Sequence, residues 1–309
     1  MAKLRSGSIF LGICLSTTLG LTACTQPPIN PTSSHGKEPV QSNTAAAATT
    51  SPLHGVTLSN LVDEESKNEV RTALLTAGVP APSADRFFAQ VDLYNDTVAK
   101  NSLLPSGFRP YPADYSLVAM SDLWNKRFPE FIGTNCRINT FLLTEDLVTL
   151  DPQQSDADNS MLFLDEDAIA NSPTPLLSER EQGAFKQVFG RIETTSNHDP
   201  KQHVADIEQY FRDRNVTFQN PDVKIVSVFI HDTLDTPAQL FIGHVGVAVP
   251  HEDGIMFVEK LAFDQPYQAL KFRDYAQLNT YLRALYDDGP DLEYAQPVIF
   301  SNDEVLSTP

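Results

Sequence analysis

The sequence predicts an α+β domain in which helices come first and a mainly antiparallel sheet follows. Two observations carry this. Apolar side chains recur at helical spacing in several stretches between residues 60 and 211. From Val223 onward three runs rich in β-branched residues follow, and a turn-forming segment joins the last two.

The chain opens on Lys3 and Arg5 and continues with an apolar or small run from Ser8 to Leu21. That run is shorter than the roughly 20 residues a membrane span needs, so it reads as a signal peptide over residues 1–23. It ends Leu21-Thr22-Ala23-Cys24, which resembles the lipobox of bacterial lipoproteins. The resemblance implies a diacylglycerol on Cys24 and cleavage just before it. The protein would then be exported and held on the envelope membrane by acyl chains, each buried CH₂ contributing roughly 0.8 kcal/mol. Thr25 in place of an aspartate favours the periplasmic face of the outer membrane, if the host has one. Residues 24–55 are rich in Pro, Ser, Thr, Gln and Ala and read as a flexible tether. Residues 56–309 then form a single domain.

Within it, Leu61, Val62, Val70, Leu74 and Leu75 predict a helix from Asn60 to Ala77, stopped by Gly78 and Pro80. Phe87, Val91, Tyr94 and Val98 predict a second helix, beginning at Pro82-Ser83 and running to about Lys100. A short helix follows over Ser121–Arg127 with the single tryptophan, Trp124. Gly133-Thr134-Asn135-Cys136 opens the next, through Leu143, with Thr134 or Asn135 as N-cap. Residues 145–178 are acidic and Pro-rich and read as a surface excursion. Ser178-Glu179-Arg180-Glu181 is a capping box, and Asp199-Pro200 starts one more helix. Val223–Ile230, Gln239–Val249 and Ile255–Phe263 are strands, the last two a hairpin around Pro250–Gly254. Arg273–Asp287 is an amphipathic helix, and Pro297–Ser301 adds an edge strand.

Composition excludes some partners. The chain carries 22 basic and 40 acidic residues, and loss of Lys3 and Arg5 makes the balance more negative still. Nucleic acid and anionic headgroups would be repelled. No metal or other cofactor is expected: His198 and His203 are five residues apart, and His231 and His251 have no ligand cluster at local spacing. Gly-rich phosphate loops and a Ser-His-Asp signature are absent from the sequence.

Of three cysteines, Cys14 leaves with the signal and Cys24 takes the lipid, so Cys136 is the one thiol of the mature domain. It lies in the first turn of its helix, where unpaired N–H groups and the dipole favour a thiolate. His244 interrupts an apolar strand between Gly243 and Gly246, small neighbours that leave room for a group to approach the ring. Glu259 is the candidate to hold the second ring nitrogen. If the turn spans His251–Gly254, pairing Pro250 with Ile255, Glu259 falls diagonal to His244 on one face; a one-residue slip puts Lys260 there instead. The alternative is a wet sheet face on which Glu259 is merely solvated.

A cysteine opening a helix (TNCRINTF), then a histidine in a later strand (GHVGVAV), then a polar residue on the next strand, resembles the NlpC/P60-like enzymes of the papain-like fold. That resemblance implies a thiol amidase, with cell-wall peptides as the substrate class. In it Cys136 attacks an amide or ester carbonyl, His244 transfers the proton, and Glu259 orients His244. A backbone N–H with Asn135 or Thr134 stabilises the oxyanion. Arg137 either pairs with acidic groups of the protein or binds a substrate carboxylate. Asn135 and Arg137 depart from the usual small residues around the cysteine, and the 108-residue gap from Cys136 to His244 requires an insertion near 150–215. The stretches LSNLVDEESKNEV, GTNCRINTFLL and GHVGVAVPHEDGIMFVEKLAFDQPYQALKF also resemble a family of bacterial lipoproteins known as a domain of unknown function, DUF4300. The competing expectation is a binding lipoprotein on the same fold with an idle, buried Cys136.

Overall fold

The computed structural model describes residues 52–151 and 156–306. The expected signal, Cys24 and most of the tether lie outside them. Residues 52–55, read from sequence as the end of the tether, pack on the domain: Leu53 lies against the apolar core, and Gln277 donates to the Pro52 and His54 carbonyls at 3.1 Å each.

The first strand, β1 (Thr57–Ser59), is followed by α1 (Glu64–Ala77) and α2 (Ala81–Thr97). Asp63 caps α1, its carboxylate accepting from the Ser66 N–H at 2.9 Å, and Gly78 ends it at φ +100°, a conformation glycine adopts without strain. β2 (Arg109–Pro110) and α3 (Leu117–Arg127) lead to α4 (Cys136–Thr144), in which every residue except Arg137 is buried. Full burial of each of its apolar side chains, Ile138, Phe141, Leu142 and Leu143, contributes about 1.5–3 kcal/mol. The helix therefore holds Cys136 in a fixed place.

Residues 145–178, expected as a surface excursion, contain β3 (Val148–Thr149) and α5 (Phe163–Asn171), and they bury Leu162, Asp165, Leu176 and Leu177. Charge and proline hid this, because one buried carboxylate anchors α5. Next come α6 (Glu179–Phe189), with the capping box of Ser178 and Glu181, β4 (Ile192–Thr194), and α7 (Pro200–Asp213), capped by Asp199. β5 (Thr217–Phe218) pairs with β3.

The second half is sheet: β6 (Lys224–Asp232), β7 (Ala238–His251), β8 (Gly254–Lys260) and β9 (Tyr267–Phe272), then α8 (Tyr275–Tyr286), β10 (Val298–Ser301) and β11 (Glu304–Val305). The order is β11-β10-β6-β7-β8-β9-β1-β2, with β4 also on β7, and every pairing is antiparallel. The α+β expectation holds. β10, expected at the edge, is covered by β11. β1 and β9 were missed, because Tyr267–Phe272 reads as loop after Pro266 and β1 is three residues long.

The sheet divides two cores. The larger packs α1, α2, α4, α6 and α7 against Val245, Val247, Val249, Met256, Val258 and Ala269. The smaller packs Leu278, Tyr281 and Leu282 of α8 against Val226, Val228, Ala248, Phe257 and Leu270. In β7 the register shifts: His244 pairs with Val228 and Ile242 with Phe229, so Gly243 is an extra, bulged residue. The inward set changes accordingly, from Leu240 and Ile242 to Val245 and Val247. Among the described residues no helix is long and apolar enough to cross a membrane.

Candidate active site

Cys136 is N1 of α4, and only 5 % of its surface is exposed. Asn135 is the N-cap, its Oδ1 accepting from the Ile138 N–H at 3.0 Å. Two residues earlier in the approach, Gly133 has φ +103°, and a Cβ there would lie 2.1 Å from the Phe263 carbonyl oxygen. The chain can enter α4 at this depth because that position has no side chain.

His244 arrives from the other half of the chain, next to the β7 bulge. Its imidazole lies beside the Cys136 thiol, close enough for each to shift the other's titration. Its Nε2 meets Glu259 Oε2 at 2.6 Å, which leaves Nδ1 for the sulfur. The hairpin has the register that parity requires: Pro250 pairs with Ile255 and His251 with Gly254, so Glu259 is opposite Gly246 and diagonal to His244. Lys260 takes the opposite face, its Nζ 3.8 Å from the Tyr94 ring centroid and 4.7 Å from that of Tyr267.

Two further groups come from α8. The Tyr281 hydroxyl donates to Glu259 Oε1, and the Tyr286 ring stacks on His244 with centroids 4.8 Å apart and planes at 16°. Cys136 belongs to the larger core and Tyr281 to the smaller. The imidazole touches groups from both, so the site lies where the two cores meet, at the bulge. The glycines beside His244 do not make the space expected of them. A Cβ on Gly246 would meet the Phe257 ring at 2.4 Å, and one on Gly243 would meet Ile230 at 2.5 Å, so these strand neighbours already fill the room.

Burial pushes the Cys136 thiol up, but the hydrogen bond and charge of His244 and the charge of Arg137 outweigh it, and the thiol lies below its ordinary value. Asp165 opposes that fall. Burial pushes His244 down, yet its bonds to Cys136 and Glu259 raise it to about 10. The two shifts favour one charge-separated state, thiolate and imidazolium. Burial drives Lys260 well below its usual range against the pull of Asp264 and Cys136; its Nζ donates to the carbonyls of Phe263 and Gln265.

The flanking candidates are engaged inside the protein. The Thr134 hydroxyl meets the Tyr267 hydroxyl at 3.1 Å and accepts from Asn139 Nδ2 at 3.0 Å. Asn135 Nδ2 donates to Asp165 Oδ1 at 2.7 Å. Arg137 forks onto Asp165, Nε to Oδ1 at 2.9 Å and Nη2 to Oδ2 at 2.6 Å, while Nη1 donates to the Ile242 carbonyl at 2.9 Å. The structure thus brings Cys136, His244 and Glu259 together and turns Thr134, Asn135 and Arg137 toward internal partners.

Sequence reading missed Tyr281, Tyr286 and Asp165. The amphipathic pattern of α8 could have drawn attention to the two tyrosines; nothing local singles out Asp165. A further cluster escaped it: Glu69, His251 and Glu252 place ligand atoms within 4.8 Å of one another, with His251 Nε2 3.0 Å from Glu69. Glu69 lies far from His251 in the chain, so residue spacing cannot show it. Lys271 also pairs with Glu69, and His251 turns Nε2 toward Glu69 and Nδ1 toward Glu252.

Fold and site together define an α+β protein with a buried thiol–imidazole–carboxylate triad. The chain belongs to the family described as "Domain of unknown function (DUF4300)", which matches residues 57–306. No curated protein and no solved structure matches it.

Proposed function

We propose that the protein is an envelope-anchored lipoprotein that hydrolyses an amide or ester through Cys136, on a papain-like layout of the NlpC/P60 kind, with a cell-wall peptide as the substrate class. The observation that carries this reading is the meeting of the Cys136 thiol with an imidazole, that of His244, which Glu259 holds by its other ring nitrogen. The anchor rests on the signal and lipobox pattern ending at Cys24.

In this reading His244 Nδ1 takes the thiol proton and the sulfur attacks the carbonyl carbon. The carbonyl oxygen becomes an oxyanion beside the Cys136 N–H, which at N1 has no intrahelical acceptor. As the carbon–nitrogen or carbon–oxygen bond breaks, the imidazolium returns its proton to the leaving group, and a thioester remains. Water, deprotonated by the same imidazole, attacks the thioester and releases the acid. Glu259 keeps Nε2–H oriented and balances the imidazolium, as the third member of such a triad does.

The deep burial of Cys136 favours a second reading, a binding lipoprotein with an idle thiol. One experiment separates them: hydrolysis of cell-wall stem peptides and of activated amides and esters by the purified domain, with trapping of the thioester by mass spectrometry. The hydrolase reading expects turnover that Cys136→Ala and His244→Ala abolish while circular dichroism is unchanged. Turnover persisting in Cys136→Ala, or no acyl adduct with any substrate, would overturn it.

A further inference from the structure

The residues on either side of Cys136 hold a carboxylate that belongs to the protein itself. Asp165 is fully buried and takes three hydrogen bonds, one from Asn135 and two from the Arg137 fork. A planar guanidinium and a side-chain amide converging on one carboxylate is a geometry suited to binding any carboxylate group. Asp165 reaches it from α5, a helix with little other grip. Its one buried apolar residue is Ala168, with Leu162 just before it and Ile169 half-buried, while Phe163 is 61 % exposed and Leu164 41 % exposed. An exposed ion pair, Lys186 with Glu166, is its salt bridge to α6. The carboxylate also acts on the thiol, because its charge works against the thiolate that His244 and Arg137 favour.

We propose that α5 is a lid over the thiol, that Asp165 latches it by occupying the Asn135–Arg137 fork, and that this fork is the subsite for a carboxylate of the substrate. The inference rests on the thiol reading above and adds to it a substrate class, acyl compounds with a carboxylate near the scissile bond. In the closed form Asp165 fills the place of that carboxylate, so thiol and subsite are shielded together. When α5 lifts, a substrate anion replaces Asp165 on Arg137 and its acyl carbon comes beside the sulfur. The burial of Cys136 then describes a closed state of the site.

Alkylation of Cys136 tests this without any assumed substrate. Wild-type protein, Asp165→Asn and Asp165→Asn/Arg137→Gln are treated with neutral iodoacetamide and anionic iodoacetate at neutral pH, and the wild type is also followed across a urea series below its unfolding transition. The expected results are these. Wild-type labelling depends on urea far less steeply than global unfolding does, the mark of a local opening. The ratio of iodoacetate to iodoacetamide rates exceeds that of free cysteine at least fivefold, despite the acidity of the protein. Asp165→Asn labels at least tenfold faster and keeps that ratio, and the added Arg137→Gln removes it. Because Asp165→Asn leaves a buried guanidinium without its anion, the wild-type slope and reagent ratio decide the matter if that variant does not fold. Rapid labelling by iodoacetamide without any preference for iodoacetate overturns the carboxylate subsite while leaving the reactive thiol intact. Labelling that requires global unfolding overturns both the lid and the thiol hydrolase.

Discussion

Tyr281 donates its hydroxyl hydrogen to Glu259 Oε1 at 2.5 Å, while the other oxygen of that carboxylate meets His244 Nε2 at 2.6 Å. Glu259 is therefore held from both sides, by a strand histidine and by a helix tyrosine of the smaller core. Burial and the nearby Glu259 charge push the Tyr281 phenol well above its usual range, so it acts as a hydrogen-bond donor at every physiological pH.

Tyr281→Phe removes this donor and keeps the ring packing. A hydrogen bond to a charged group contributes about 1.5–3 kcal/mol. The variant is expected to fold, to shift the pH profile of Cys136 alkylation, and to lower its rate at neutral pH by about tenfold. Kinetics with iodoacetamide between pH 5 and 10 check this; an unchanged profile would mean that Glu259 needs no second anchor.

The thiol itself should titrate below its ordinary value of 9.0, with the imidazolium persisting to about 10. Between those two points the charge-separated pair is the stable form, so the alkylation that opening of the site allows should persist to lower pH than that of an unperturbed thiol. His244→Ala withdraws the main stabiliser of the thiolate and leaves burial in command. Its alkylation inflection should move up, and below both inflections each unit of that shift lowers the rate about tenfold. An inflection equal in both proteins would show that the contact has no electrostatic consequence.

Arg86 joins two carboxylates, Glu145 and Glu181, beneath α6. Burial, together with the Glu181 bond, raises Glu145 to about 7. Glu181 is pushed up by burial too, but its bonds to Glu145 and Ser178 and to Arg86 take it down to about 2. Glu145 then favours the folded state below about 4.5, and that contribution is lost as pH rises toward 7. The contribution of Glu181 is present above about 4.5 and is lost as pH falls toward 2. Glu145→Gln should flatten stability between pH 4.5 and 7 and raise it at pH 8 by about 1 kcal/mol, about 2–4 °C in Tm. Thermal melts at pH 5 and pH 8 read the difference.

Gly133→Ala should be among the most damaging small substitutions. It combines φ +103° with a Cβ 2.1 Å from the Phe263 carbonyl, the oxygen that also accepts from Lys260 at 3.3 Å. Both the entry to α4 and the loop that receives the buried lysine would have to move. A loss of about 2 kcal/mol or more in urea unfolding, with faster alkylation of Cys136, is expected; a stability within error of wild type would show that this approach has slack.

Much of the fold is local and so was legible in the sequence. Asn135, Ser178 and Asp199 cap their helices with their own side chains, and such signals lie within three residues of what they determine. The β7–β8 hairpin is local too, and its parity sets Glu259 rather than Lys260 on the face of His244. What remained hidden depends on residues far apart in the chain. The bulge at Gly243 follows from how β6 and β7 fit, and β9 is a strand because β8 and β1 flank it.

By itself, then, the sequence determined the α+β order, the cysteine of the domain and the helix start that seats it, while the register of the histidine strand against the glutamate strand stayed conditional on the turn until the structure gave it. Only the tertiary structure decided that Tyr281 and Tyr286 hold the carboxylate and the imidazole, that Asp165 occupies the Arg137 fork, and that the thiol lies shielded at the junction of two cores. The reason is physical. Periodicity and capping act over a few residues, whereas a contact between residues tens of positions apart or more exists only once apolar faces have packed and brought its partners within reach of one another.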